Sequence, residues 1–252
     1  MDKGRDQIFH QGVFKPTILL IFLLCFVLTA CTNMSQRLPQ KRVSLFQKCF
    51  NTNEKAKRNL ILFIHGLNGD PYSTWERFPC LIKKDRDLSK QYDIASYSYP
   101  SGLFLGGNLP KIQEVAAGLR TEINNKYSDY ESISIISHSM GGLITRQYIL
   151  EEIEDDQALK IKNLVLYAVP NNGSDLATYW DIFPGKNNQI DQLKKDSDFI
   201  EFLNKDWMRK RNKEKIDSKI KIKYVIAGGD RAVDKTSATM FWGNANTETI
   251  LL

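Results

Sequence analysis

Short continuous apolar runs recur along this chain, each set between polar segments. Leu60-Ile61-Leu62-Phe63-Ile64 is the clearest, bounded by Asn59 and His65. A run without polar alternation is what a strand buried on both faces of a parallel sheet requires. Ile94 to Tyr99, halted by Pro100, predicts a second strand, and Ile133 to Ile136 a third. Asn163 to Val169, ended by Pro170, predicts a fourth, and Ile220 to Ala227, ended by Gly228-Gly229, a fifth. Thr247 to Leu252 reads as the start of one more, and Arg42 to Phe50 as a first edge strand. Between these the period changes. Ile112, Val115, Ala116, Leu119 and Ile123 recur at helical spacing within Leu109 to Tyr127, with Asn108 placed to cap and Pro110 near the first turn. Leu143 to Ile153 predicts the helix after the third strand. Gly173 to Lys219 predicts helices without a strand. Its aromatics, Tyr179, Trp180, Phe183, Phe199, Phe202 and Trp207, suit helix faces packed on the sheet better than a roof over a site. Strands alternating with helices imply an α/β fold: a right-handed, mostly parallel central sheet flanked by helices.

The N-terminus has a different pattern. Lys3, Arg5 and Lys15 precede an apolar stretch, Thr17 to Thr29, that is short for a membrane span. It ends in Leu28-Thr29-Ala30-Cys31, which resembles the lipobox of bacterial lipoproteins. That resemblance implies a signal peptide over residues 1–30 and a lipid (palmitate) modification at Cys31. Residues 31–58 then hold the anchor, a polar tether and the edge strand, and residues 59–252 the folded domain. It also implies a bacterial cell-envelope location, held to the membrane by the N-terminal lipid. The outer membrane is favoured because Thr32, not Asp, follows the cysteine. An uncleaved anchor or a plain secretory signal is the alternative. Cys25 would leave with the signal and Cys31 would take lipid, leaving Cys49 and Cys80 in a compartment that permits disulfides. Bridged and free forms of that pair both stay open.

Composition changes this picture little. A chain of 252 residues, 42% hydrophobic and 25% charged, suits one α/β domain with a full core. The formal net charge of +6 is dispersed. Its densest part, Lys205, Arg209, Lys210, Arg211, Lys213 and Lys215, reads as a solvated helix face, with contact to anionic lipid head groups as the second reading. No motif for nucleic acid accompanies the charge. No cysteine–histidine cluster suggests a metal, and no cofactor is called for.

The candidate chemistry lies at strand ends. Ser137-His138-Ser139-Met140-Gly141-Gly142 follows the third strand and opens a helix. A serine nucleophile needs that strand, sharp turn and helix, which lift its oxygen above the sheet. Ser137 stands where G-x-S-x-G has its first glycine. His65-Gly66-Leu67 follows the first buried strand, where such a site takes a backbone N–H for a developing oxyanion. The amides of Leu67 and Met140 are the candidate donors. Ala227 to Asp234 follows the fifth strand, where the acid belongs. Asp230 lies nearest the strand end and is preferred over Asp234.

These segments resemble the lipase-like serine esterases of the α/β-hydrolase superfamily, near the GPI inositol-deacylase-like group. Leu62 to Gly69 with Trp75, Tyr97-Ser98-Tyr99-Pro100, the turn at Ser137 to Gly142 with Arg146 and Tyr148, and Ala168 to Ser174 carry the resemblance, and Gln189 to Trp207 continues it. It covers the chain from about Asn59 onward. It implies attack by Ser139 on an ester, an oxyanion held by the Leu67 and Met140 amides, and Asp230 orienting a histidine. Its substrates would be carboxylic esters, with acyl lipids suggested by the membrane anchor. Protein partners are not implied.

One residue breaks the pattern. The chain has three histidines, His10, His65 and His138, and none follows Ser139. The triad order is Ser, acid, His, with the histidine past a segment like Thr247 to Leu252. Strand alternation turns His138 away from Ser139, and His65 sits in the oxyanion loop. The expectation is a chain truncated at its last strand and nearly inactive on esters. The rival is a non-catalytic lipoprotein that uses a hydrolase fold to bind a lipid or a partner.

Overall fold

Six strands lie side by side, all parallel, in the order β2-β1-β3-β4-β5-β6. They are β1 (Asn59–Ile64), β2 (Tyr92–Tyr97), β3 (Ser132–His138), β4 (Ile161–Tyr167), β5 (Lys221–Ile226) and β6 (Thr249–Leu251). The computed structural model describes residues 46–50, 58–102, 109–174, 187–214, 216–226 and 249–251. Residues 1–30, Cys31 and its tether lie outside that set. So do Asn108, Tyr179, Trp180, Phe183, Asp230 and Asp234. Residues from Leu45 onward form one compact unit.

The helices are α1 (Phe78–Lys84), α2 (Leu88–Gln91), α3 (Ile112–Lys126), α4 (Met140–Glu154), α5 (Asn188–Leu193), α6 (Asp198–Glu214) and α7 (Ile216–Lys219). A 3-10 turn over Ser73–Trp75 precedes α1. Helix α3 starts after Pro110. Its first free N–H groups are met by side chains: Glu114 accepts from Lys111 N–H at 2.7 Å, and Gln192 accepts from Ile112 N–H at 2.7 Å. Among the described residues no helix is long and apolar enough to cross a membrane.

Strand pleating divides the core in two. Leu60, Leu62 and Ile64 of β1 join Ile133 and Ile135 of β3 and Leu164 and Leu166 of β4 beneath α3, α4 and α6. Ile61 and Phe63 point the other way, against Trp75, Ile82 and Ile94. Of the predicted helical aromatics, Phe199 and Trp207 are buried in the larger core, as helix faces packed on the sheet. Phe202 is 64% exposed and contributes to neither core.

The edge strand expected across Arg42 to Phe50 does not extend over its described part. Residues 46–50 form a tight turn, with Cys49 N–H and Phe50 N–H donating to the Phe46 and Gln47 carbonyls at 3.0 Å each. A disulfide joins Cys49 to Cys80 in α1. Phe50 meets Phe63 edge-on at 5.8 Å and Tyr72 at 5.2 Å. The crosslink and these rings hold the segment over the sheet's smaller core, while the sheet edges are β2 and β6.

Candidate active site

In this strand order the chain leaves β1 toward β2 and returns to the other side of β1 as β3. Open α/β sheets form their crevice where the order reverses in this way, at the carboxyl ends of the strands. Gly66 at the end of β1 and Ser139 at the end of β3 meet there. A Cβ placed on Gly66 would lie 2.8 Å from Ser139 Cβ and 3.1 Å from the His138 carbonyl, so only glycine fits.

Ser139 has φ 52° and ψ −126°, a backbone region that side chains rarely occupy. The strain is held by neighbours on both sides. Its N–H donates to the Tyr167 carbonyl of β4 at 2.9 Å, and its carbonyl accepts from Gly142 N–H at 2.9 Å. Gly141 and Gly142 let α4 close on the sheet. A Cβ on Gly141 would strike the Ile64 and His65 carbonyls, and one on Gly142 would strike the Val169 side chain. Ser137, in the place of the usual glycine, is fully buried and bonded. Thr145 Oγ1 donates to the Gly141 carbonyl at 2.8 Å, so Ser137 supplies the proton in its 3.0 Å contact with Thr145.

The candidate oxyanion loop after β1 is held from several sides. Tyr99 donates to the His65 carbonyl at 2.5 Å and stacks on its ring at 4.1 Å. Asn68 N–H donates to Ser101 Oγ at 3.0 Å. Asp70 Oδ1 accepts from Tyr72 N–H at 2.9 Å and Ser73 N–H at 2.8 Å. Met140 occupies the first position of α4, where backbone N–H groups have no intrahelical acceptor. Leu67 is partly buried against the larger core.

The two described histidines differ. His65 is fully buried, and its Nδ1 lies 3.0 Å from the Gly66 carbonyl, so Nδ1 carries the proton. Burial lowers its pKa, and the hydrogen bond to the Gly66 carbonyl offsets this only in part. It is a neutral structural ring. His138 lies on the opposite sheet face from Ser137, edge-on to Trp75 at 6.5 Å and tilted to Tyr167 at 5.9 Å. The sharp turn still brings it closer to the crevice than alternation alone implies, since its Nδ1 lies 3.2 Å from the position a Gly66 Cβ would take.

A buried cation stands on α4, the helix after Ser139. Arg146 is fully buried and donates to Asn171 Oδ1 and Asn204 Oδ1 at 3.0 Å each, and its guanidinium lies 5.0 Å from the Trp207 ring centroid. Asn204 also donates to the Asn171 carbonyl at 2.7 Å. Burial pulls the Arg146 pKa down to about 9 and nearby Arg211 adds to this, against Tyr224; the group still carries its charge at neutral pH. The network ties α4, the loop after β4 and α6 together. Arg146, Asn171, Asn204 and Trp207 fall within the resembling segments, but their mutual contact left no mark in the sequence.

The structure thus brings Gly66 and Ser139 together, with Leu67 and Met140 next to them in the chain, while Asp230 and Cys31 lie outside the described residues. A cavity of about 580 Å³ between α4, α5 and α6 is lined by Gln147, Leu150, Phe199 and Leu203 and does not include Ser139 or Gly66.

A parallel sheet with helices on both faces, and a serine on a strained strand-to-helix turn at its crevice, is the α/β-hydrolase fold. Residues 54–173 match the family model described as "Putative serine esterase (DUF676)". Among curated proteins the chain is similar to Protein SERAC1 of Danio rerio, 24% identical over 197 residues, covering 62% of this chain and 29% of that protein. It is similarly 24% identical over 206 residues to Protein SERAC1 of Homo sapiens, covering 67% of this chain and 30% of that protein. The chain therefore spans less than a third of these relatives' length. Among solved structures, phospholipase PlaB from Legionella pneumophila shares the fold with a TM-score of 0.56 at 19% identity, covering 72% of this chain and 42% of that one.

Proposed function

We propose that this chain is a lipid-anchored serine hydrolase of carboxylic esters, acyl lipids among them. Ser139 attacks the ester carbonyl, and the amides of Leu67 and Met140 hold the oxyanion that forms. In the complete mechanism Asp230 would orient a histidine, which this sequence does not carry after Ser139, and water would then cleave the acyl-enzyme. The single observation that carries this reading is the strained Ser139 backbone pressed against Gly66, a turn that holds a serine side chain above the sheet. Backbone strain of about 1–3 kcal/mol is kept where it serves a site. The Cys49–Cys80 disulfide supports an oxidising compartment, in keeping with the signal peptide and the cell-envelope location we propose for residues 1–30 and Cys31.

The base decides how the 252-residue chain behaves. His65 is buried, stacked on Tyr99 and committed to the Gly66 carbonyl, so it does not serve. His138 lies on the sheet face against Trp75 and Tyr167. We therefore expect ester turnover close to background and a rate that rises with added imidazole, which replaces the missing side chain. Hydrolysis of a p-nitrophenyl ester by the purified chain, with and without imidazole, tests this against a Ser139→Ala control. A fast rate without imidazole would refute the missing base. An imidazole response equal in the Ser139→Ala variant would refute the nucleophile and favour the rival reading, a binding protein on a hydrolase fold.

A further inference from the structure

The segment Glu76 to Lys90, which follows the loop after β1, holds exposed apolar side chains among charged ones, with Lys83 donating to the Lys48 carbonyl at 3.3 Å. Phe78 is 44% exposed and Leu81 61%, and they stand at i and i+3 on α1, so they share a face. Leu88, at the start of α2, is a third exposed apolar side chain. Five cations and three carboxylates occupy this stretch, and Lys83 and Lys84 close the last turn of α1. One carboxylate, Asp85, is engaged by the N–H groups of Asp87 and Leu88. Exposed apolar side chains interleaved with lysine and arginine fit the boundary of an anionic bilayer, where rings and methyls enter the acyl region and cations stay among the phosphates.

Two further observations select this surface. The first is covalent. The Cys49–Cys80 bond fastens α1 to residues 46–50, the point at which the preceding chain enters the domain. The second is a path of ring contacts to the nucleophile. Phe78 meets Phe63 at 5.6 Å, Phe63 meets Trp75 at 4.8 Å, and Trp75 meets His138, next to Ser139, at 6.5 Å. The first turn of α1 is thus linked to the residue before Ser139 through Phe63 and Trp75.

We propose that the face of α1 carrying Phe78 and Leu81 docks on an anionic lipid surface and sets the mouth of the crevice toward it. The proposal rests on the lipid-ester reading above and on the anchor for its biological sense, but the docking itself is a property of the domain. A competing surface exists on α6, where Phe202 and Met208 are exposed beside Lys205 and Arg209. It covers the opposite face of the sheet from α1, so one flat bilayer does not engage both.

The test uses the compact unit, residues 45–252, which has its own core, floated with vesicles of phosphatidylcholine alone or with phosphatidylglycerol. Binding is expected only to the mixed vesicles and to weaken with salt. The pair Phe78→Ser and Leu81→Ser should weaken it by on the order of tenfold or more, from the apolar area kept out of the bilayer. Leu81→Ser alone, at a side chain largely in solvent, should act in the same direction without disturbing the fold. Phe202→Ser with Met208→Ser should leave binding unchanged. Absence of flotation, equal binding to zwitterionic vesicles, or loss through the α6 pair in place of the α1 pair overturns the proposal. Mass spectrometry of Cys31 in the full chain judges the anchor separately, so failure of one is distinguishable from failure of the other.

Discussion

Gly141→Ala sets two effects of known sign against each other. Gly141 lies in the first turn of α4, and alanine is favoured over glycine in a helix by about 1 kcal/mol. Propensity alone therefore makes the variant more stable. The neighbours say otherwise. The new Cβ would stand 2.4 Å from both the Ile64 and His65 carbonyl oxygens and 3.0 Å from the Ile64 carbonyl carbon. These are backbone atoms at the end of an interior strand, with no rotamer to move. Relief requires α4 to retreat from β1 by roughly half an ångström or more, against packing that resists small changes. Overpacking of this kind costs about 1–3 kcal/mol, and contact with two rigid carbonyls puts it at the upper end. The net effect is a loss of about 1–2 kcal/mol. For a domain of this size that lowers Tm by about 2–8 °C. The same retreat moves Ser139 and the Met140 amide relative to the oxyanion loop. A misplacement near 1 Å costs on the order of a hundredfold in rate, so the imidazole-supported esterase rate should fall far more than the fraction folded. Thermal melts followed by circular dichroism, with ester rates taken well below Tm, read both effects. A Tm equal to or above that of the parent would refute the steric reasoning.

Ser139→Gly should show the opposite trade. Glycine adopts φ 52° without strain, so the variant gains about 1 kcal/mol in a denaturant melt while losing all serine-dependent ester cleavage; a drop in stability would mean that the turn is not strained. Replacing both Cys49 and Cys80 by serine frees a crosslink that spans 31 residues, and the chain-entropy relation gives a loss of roughly 3–4 kcal/mol; equal urea midpoints for the oxidised parent and the double variant would contradict it. His65 sets a pH dependence. Its folded pKa lies below the ordinary value of 6.5, so below that pH the unfolded chain binds the extra proton first. Stability is then full above 6.5 and declines as pH falls from there toward the folded pKa. Urea midpoints across that range should fall in the parent and fall less in His65→Gln; parallel curves would remove His65 as the cause.

The strands were legible because a doubly buried strand leaves a run with no polar break. Leu60 to Ile64 lies wholly within β1, and Ile133 to Ile136 sits inside β3. The serine turn was legible for a related reason, since a strand, two glycines and a helix in that order leave few other geometries. What failed or stayed hidden depended on partners distant in sequence. Arg42 to Phe50 has strand-like composition, yet over 46–50 the bond to Cys80 and the rings around Phe50 decide its shape. Ser137 stands where the pattern has a glycine, and its hydroxyl contact with Thr145 of α4 was not visible in the sequence. The Arg146 network needed three separate segments to meet before any of its residues had meaning.

The strand order also bears on a chain whose strands join the sheet as they are synthesised. Strand β1 waits for partners on both sides, and once β3 joins it, β4, β5 and β6 add in turn to one growing edge. The Ser139 turn is enclosed by β1, β3 and β4, all of which precede β5 in the chain. The segment that holds Asp230 comes after β5, at the late end of this accretion. A nascent chain leaving a ribosome or a translocation pore would therefore carry a finished serine seat well before the groups meant to activate it. Injury to the late edge would remove chemistry and spare the seat, and a mutational survey would find tolerance rising along the chain from β4 to β6.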